Sequence, residues 1–239
     1  MLLRVESLRV RYRNGAIGVS DVSLDVDSGE TVVLFGPNGA GKTTSVRAIS
    51  GFMRSEQAKV VAGSVSLDGR SITNLEPHRT GAVGVAFVPE RRKIFANMTV
   101  RENLEVVHKR PPRVRRAMID DRIAGLFPVL AARRSQLAGQ LSGGERQMLA
   151  IARSLMCEPR LLIIDEVTLG LHHSLHVPLF EAVKAIAADG AGVLVVDESA
   201  GSSVSMADRW YALADGRVSS SGSSGEPTGG GLAVGGAEA

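Results

Sequence analysis

Short apolar runs recur along the chain, and their spacing alternates between two periods. Residues 32–35, 84–89 and 193–196, with the Leu161-Leu162-Ile163-Ile164 run, are unbroken and largely β-branched, the pattern of strands buried on both faces of a parallel sheet. Residues 2–12 and 22–26 alternate apolar with polar instead. They predict two strands with one wet face, joined through the turn-like Asn14-Gly15. Residues 63–69 read as a further short strand and turn, and 210–213 with 217–220 as a hairpin about Asp215-Gly216. Helices are predicted over 43–52 and, with a break at Pro111-Pro112, over much of 99–138. Another opens at Ser142, an N-cap with its capping-box partner Glu145, and carries the apolar stripe Met148, Ile151, Ala152 and Leu155. Strands alternating with helices predict an α/β domain over residues 1–220. The Gly/Ser-rich segment 221–239 has almost nothing to bury and is expected to be disordered.

Composition narrows the class. The 239 residues are 44% hydrophobic but only 4% aromatic, so the core must be built from Val, Leu, Ile and Ala. Net charge is +3 with a pI near 9.3, and no basic run is interleaved with stacking aromatics, so nucleic acid is not an expected partner. The tract Lys109, Arg110, Arg113, Arg115, Arg116 reads as a solvated face. A single cysteine, Cys157, excludes an internal disulfide and reads as a small core residue. No signal-peptide core is seen at the start, and no apolar stretch approaches the ~20 residues that cross a bilayer.

Candidate chemistry begins directly after the apolar run 32–35. Gly36-Pro37-Asn38-Gly39-Ala40-Gly41-Lys42-Thr43 fits the spacing G-x-x-x-x-G-K-[ST], with a strand before it and a helix after it. Its glycines let successive N–H groups turn inward to form an anion cradle, and the helix N-terminus adds its partial positive charge. Lys42 supplies a full charge for the β- and γ-phosphates, and the Thr43 hydroxyl a ligand for Mg²⁺. Tyr12, at a sheet end, either stacks on a purine face or caps a small core.

Two acids close the run Leu161-Leu162-Ile163-Ile164-Asp165-Glu166. Adjacent residues of a strand face opposite ways, so the pair divides its labour. Asp165 is expected to reach Mg²⁺ opposite Thr43, and Glu166 to orient a water at the γ-phosphate. Three histidines, His172, His173 and His176, lack a clear third and fourth ligand and read as a solvated helix start.

Taken in order, residues 36–43, 141–147 and 161–166 resemble the ATP-binding subunits of ABC transporters, with Ser142 preceding Asp165 by 23 residues. Within that superfamily, Phe87-Val88-Pro89-Glu90-Arg91-Arg92, Met98-Thr99-Val100-Arg101-Glu102-Asn103-Leu104 and Glu145-Arg146-Gln147-Met148-Leu149-Ala150-Ile151 look like branched-chain amino acid importers, and like the second of their two ATPase subunits. Leu169-Gly170-Leu171 and Ala207-Asp208-Arg209 agree.

The resemblance implies a P-loop NTPase core with a mixed sheet, an N-terminal antiparallel β-subdomain and a helical arm at about 95–150. It implies an ATP site of Tyr12, residues 36–43 and Thr44, with Mg²⁺ held by Thr43, Glu90 and Asp165, and catalysis by Glu166 with the position of Glu198. It also implies that Ser142, Gly143, Gly144 and Glu145 close over the ATP of a second ATPase subunit, identical or different. Two membrane permeases and, indirectly, a solute-binding protein complete the assembly, placing the chain at the cytoplasmic face of the membrane.

Several positions depart from the family pattern. Glu90 stands where glutamine is usual, although the subfamily that the chain resembles also carries this substitute, and a carboxylate is still a hard oxygen ligand for Mg²⁺. Val167 stands for proline and His172 for aspartate. Glu198 stands for histidine or glutamine, where two carboxylates ~4 Å apart repel by about 4 kcal/mol at an effective dielectric of 20. Glu198 is therefore expected to bind a proton, pair with a cation or swing away, and to weaken hydrolysis while nucleotide binding is kept. Against the importer ATPase stands a nucleotide-gated structural partner with weak hydrolysis of its own. A soluble ABC ATPase of translation or DNA repair fits poorly, because the chain has neither a second ATPase half nor a coiled-coil insert.

Overall fold

A computed structural model describes residues 1–224 apart from 92, 108–110 and 169–170. The readings that fall on Arg92, Lys109, Arg110, Leu169, Gly170 and the tail from 225 onward lie outside the described residues. Among the described residues ten strands form a single mixed sheet: β1 (Leu3–Tyr12), β2 (Ile17–Val26), β3 (Thr31–Phe35), β4 (Ala58–Leu67), β5 (Arg70–Ser71), β6 (Val85–Val88), β7 (Leu161–Asp165), β8 (Gly192–Asp197), β9 (Arg209–Ala214) and β10 (Arg217–Ser223). The helices are α1 (Lys42–Ser50), α2 (Pro77–Ala82), α3 (Val100–Glu105), α4 (Arg113–Leu126), α5 (Pro128–Ala132), α6 (Gly143–Leu155), α7 (His176–Ala188) and α8 (Gly201–Ser205).

The strand order β5-β4-β1-β2-β10-β9-β3-β8-β7-β6 sets an antiparallel N-terminal portion beside a core whose central strands β9, β3, β8, β7 and β6 run parallel. The predicted fold class is therefore present. Side chains of β3 leave on both faces. Val33 and Phe35 enter an apolar cluster with α6, α7 and the arm helices; Val32 and Leu34 enter a second cluster with α1, β1, β2 and β4. Burial on both faces is why that strand reads as an unbroken apolar run. The arm has no core of its own. Leu104, Ile123, Phe127 and Leu130 share the first cluster with α6 and the central strands.

Three boundaries differ from expectation. Strand β2 begins at Ile17, five residues early, because its pairing with β1 carries it through positions 17–21, where Ile17 faces Arg11 and Val19 faces Val10. Strand β4 begins at Ala58, because Gly63 lies inside the strand, opposite a bulge of β1 at Ser7, rather than at its start. Gly63 has φ +79, and a Cβ there would lie 2.3 Å from the Glu6 and Ser7 carbonyl oxygens. Strand β10 runs on to Ser223, three residues into the expected tail. The hairpin about Asp215 (φ +49) and Gly216 (φ +73) and the Ser142–Glu145 capping box form as read. Cys157 corrects the reading of a core residue: it is exposed, just past the end of α6.

Candidate functional site

Strand register brings the candidate chemistry together. Phe35 of β3 pairs with Asp197 of β8, and Val196 of β8 with Asp165 of β7, so three strands end level. The phosphate loop, Glu198 and the Asp165-Glu166 pair therefore emerge at one rim, the crevice outside the carboxyl ends of the strands where α/β sheets bind ligands.

The loop has the conformation its glycines permit. Gly36, Gly39 and Gly41 take φ values of +154, +81 and +102, and a Cβ on Gly36 would lie 2.1 Å from the Leu213 carbonyl oxygen. Lys42 is buried, its Nζ donating to the carbonyls of Gly36 at 2.7 Å and Pro37 at 3.0 Å. Ala40 is buried and donates its N–H to the Pro37 carbonyl. Asn38, Gly39, Lys42, Thr43, Thr44 and Glu166 line a common pocket of about 320 Å³, and Tyr12 closes one side of it. The Tyr12 hydroxyl lies 2.9 Å from Thr44 Oγ1, and its ring leaves no room for a side chain at Gly18, where a Cβ would sit 2.5 Å from Cε2. Gly18 went unread in the sequence; its only signal was a lone glycine within a strand.

The two acids sit in different surroundings. Asp165 ends β7 buried, whereas Glu166 leaves the strand in the left-handed region, φ +54, its N–H bound to the Val196 carbonyl. The kink, rather than the strand pleat, sets the two carboxylates apart. Burial pushes the Asp165 carboxyl up to about 6, against the pull of Arg47 and Lys42. Its Oδ1 is buried with no hydrogen-bond partner, while the Thr43 hydroxyl approaches the same carboxylate. An orphaned buried carboxylate oxygen beside a hydroxyl and a phosphate cradle fits a hard divalent cation such as Mg²⁺. Glu90 fits that set less directly, because its Oε1 accepts from Arg91 Nε at 2.8 Å.

A sign follows for the cation-free protein. The native pKa of Asp165 lies above the ordinary carboxylate value of 3.8, so the native state holds that proton more tightly and stability falls as pH rises from about 4 through about 6. Asp165→Asn should therefore raise the unfolding midpoint of the nucleotide-free protein above pH 7. The gain should be roughly 3 kcal/mol at about 1.36 kcal/mol per pKa unit, shrinking toward zero near pH 4. Thermal melts across that range measure it; an unchanged or lower midpoint at neutral pH would contradict the burial argument.

Glu166 is also raised, first by burial and then by the charges of Glu90, Glu198 and Asp165. Glu198 is exposed and, among the described residues, has no ion pair, so pairing with a cation, one of the three expected outcomes, is not seen. Glu90, which the sequence reading treated as a metal ligand, presses harder on Glu166 than Glu198 does. Sequence reasoning also passed over Asp197. Its carboxylate accepts from the Glu198 N–H at 2.8 Å, Ser203 Oγ at 2.8 Å and Thr168 Oγ1 at 3.3 Å, tying the Glu198 loop to the segment after Glu166. Val167, in place of proline, is fully buried in the core.

Ser142, Gly143, Gly144 and Glu145 do not line the pocket of Lys42. Ser142 is exposed at the start of α6, and the Glu145 carboxylate is engaged by the Ser142 N–H and Arg133. Gly144 is required by packing, since a Cβ there would lie 2.3 Å from Leu175 Cδ1. His172 bonds Ser174, and His173 stacks on His176; among the described residues no group of acidic, histidine or cysteine side chains is arranged to hold a metal by itself. Among them, too, no helix is long and apolar enough to cross a membrane.

With this geometry the comparisons agree. The profile of the family described as ABC transporter matches residues 19–169. The chain is 38% identical over 198 residues to the high-affinity branched-chain amino acid transport ATP-binding protein BraG of Pseudomonas aeruginosa, covering 83% of each. It is 33% identical over 225 residues to the lipopolysaccharide export system ATP-binding protein LptB of Haemophilus influenzae, covering 92% of this chain and 90% of that one. Among solved structures, a nucleotide-free ATP-binding cassette from an ABC transporter superposes with a TM-score of 0.81 at 26% identity, over 93% of this chain and 91% of that one. The chain belongs to the ABC transporter family, as an ATP-binding, ATP-hydrolysing cassette.

Proposed function

We propose that this cassette powers an importer of branched-chain or other hydrophobic amino acids, as a peripheral subunit on the cytoplasmic face of the membrane beneath two permease subunits. The observation that carries the ATPase part is the single pocket shared by Lys42, Thr43 and Glu166, with the orphaned oxygen of Asp165 beside Thr43. Bound ATP lies with its adenine toward Tyr12 and its phosphates over residues 36–43. Lys42 exchanges its bonds to the Gly36 and Pro37 carbonyls for phosphate oxygens, and Glu166 orients the attacking water. Thr43 and Asp165, with Glu90 nearby, would hold Mg²⁺, which when bound neutralises phosphate charge.

The site is completed by a second cassette, identical or different. Ser142, the N-cap of α6, stands exposed and outside this chain's own pocket, at a helix N-terminus whose partial positive charge suits the partner's γ-phosphate. The importer assignment rests on the sequence resemblance and on the greater identity to BraG than to LptB. It is tested by deleting the gene and following uptake of radiolabelled leucine, isoleucine and valine. Uptake should be lost, and restored by the wild-type gene but not by Glu166→Gln; undiminished uptake in the deletion strain would overturn it.

A second reading keeps nucleotide binding but leaves most hydrolysis to the partner, and the carboxylates crowding Glu166 favour it. Exposure of Glu198 brings the repulsion nearer the ~1 kcal/mol of two charges ~4 Å apart in water than the larger figure for an enclosed pair. Glu198→Gln should thus raise the ATPase rate of the purified chain severalfold, to the extent that ~1 kcal/mol is removed from the barrier. An unchanged or lower rate would show that Glu198 does not restrain the site. Comparing the chain alone with the mixed pair of cassettes separates the two readings.

A further inference from the structure

Glu166 stands in a backbone conformation that its own side chain disfavours. Its φ of +54 lies in the left-handed region, where the Cβ of an L-residue crowds the backbone, and the residue after it is the buried Val167 rather than a glycine. Such a conformation persists only where neighbouring groups hold it.

The last two residues of β8 do the holding. The Val196 carbonyl accepts the Glu166 N–H at 3.0 Å, and two residues further on the Thr168 hydroxyl donates to Asp197 Oδ2 at 3.3 Å. One strand therefore fastens the chain at Glu166 and again just beyond it. Asp197 is itself fixed from several sides. Its backbone pairs with Phe35 of β3, the residue before Gly36 of the phosphate loop. Its Oδ2 also accepts from the buried Ser203 hydroxyl of α8 at 2.8 Å, and its Oδ1 from the Glu198 N–H at 2.8 Å. Among the described residues no cation stands at ion-pair distance from Asp197, so these three donors satisfy it. A carboxylate accepts at both oxygens and makes the stronger, charge-assisted kind of bond, which suits a group that holds three segments together.

We propose that Asp197 is a positioning residue for ATP hydrolysis. Through Thr168 it holds Glu166 in the left-handed conformation that keeps the Glu166 carboxylate in the pocket of Lys42 and Thr43, and through Ser203 and the Glu198 N–H it fixes the adjoining loop. The inference rests on Glu166 as the residue that orients the attacking water. Asp197 does not line the pocket, so it acts on the rate and not on nucleotide binding. A reacting group misplaced by about 1 Å loses up to ~10²-fold in rate.

The experiment measures kcat, single-turnover hydrolysis and equilibrium ATP binding on the full chain and its variants. Asp197→Ala should lower kcat by roughly ten- to a hundredfold, while the ATP dissociation constant stays within about twofold of wild type. Asp197→Asn should keep most of the turnover, because the amide oxygen still accepts the Glu198 N–H while Nδ2 donates to the two hydroxyl oxygens. In a chain that already carries Glu166→Gln, Asp197→Ala should bring no further loss, since a group acting through Glu166 has nothing left to position. Thr168→Val breaks the same link from the other side with little change of shape. It should lower kcat by roughly tenfold, and it decides the question if the alanine variant does not fold.

Wild-type kcat in Thr168→Val or in folded Asp197→Ala overturns the proposal. So does an asparagine variant as slow as the alanine one, or an equal further loss in the Glu166→Gln background, the mark of a residue that only supports the fold. Wild-type turnover in Glu166→Gln alone would instead remove the role of Glu166 on which the inference rests, and that result is read without any change at Asp197.

Discussion

Glu166→Gln should lower ATP turnover by ~10²–10⁴-fold, the range for removing a positioned acid–base group, while ATP still binds. Glu166 lines the same pocket as Lys42 and Thr43, held there by the bond from its N–H to the Val196 carbonyl and by a left-handed backbone angle that follows directly from the end of β7. The amide preserves size and hydrogen bonding but cannot accept a proton from water. Burial and three neighbouring acids raise the Glu166 carboxyl, so wild-type turnover should also climb as pH rises through the range where that group ionises. The glutamine variant should lose the limb of the pH profile that Glu166 contributes. Single-turnover hydrolysis and equilibrium nucleotide binding on the same preparation measure the two effects. Wild-type turnover in the variant would remove Glu166 from the role, and loss of binding would reassign it to the cradle.

Lys42→Ala should abolish ATP binding at the phosphate loop. The ammonium is buried and, among the described residues, held only by two backbone carbonyls, of Gly36 and Pro37, so it is a charge oriented into a cradle with no carboxylate among them at ion-pair distance. Replacing two charge-assisted bonds of about 1.5–3 kcal/mol each predicts affinity weaker by ~10²–10⁴-fold. The check is the thermal shift produced by ATP with Mg²⁺ at high salt, where exposed cationic surfaces are screened and the enclosed loop is not. A shift equal to wild type would exclude Lys42 as the main phosphate contact. Turnover should fall together with binding, which distinguishes this variant from Glu166→Gln.

How much of this was legible depended on sequence distance. The phosphate loop, the capping box at Ser142 and the Asp215-Gly216 turn are all local: backbone angles and hydrogen bonds within a few residues decide them, and each forms as read. Features set by pairing were harder. Gly63 looks like a strand boundary, yet it lies inside β4 facing a bulge of β1, where the close carbonyls of Glu6 and Ser7 leave no room for a side chain. Gly18 looks incidental, yet it makes room for Tyr12 and Thr44. Asp197 ends β8, and only folding places Thr168 and Ser203 around its carboxylate.

By itself the sequence determined that a phosphate cradle, a pair of acids and a capped helix exist, because each is written in residues that touch their own neighbours along the chain. Tertiary structure alone decided that the first two share one crevice and the third does not. It also decided that Glu90 rather than Glu198 is the stronger pressure on Glu166. The reason is the strand order β3-β8-β7 and its register, which bring Phe35 level with Asp197 and Val196 level with Asp165 through backbone hydrogen bonds that carry no mark in the sequence of side chains.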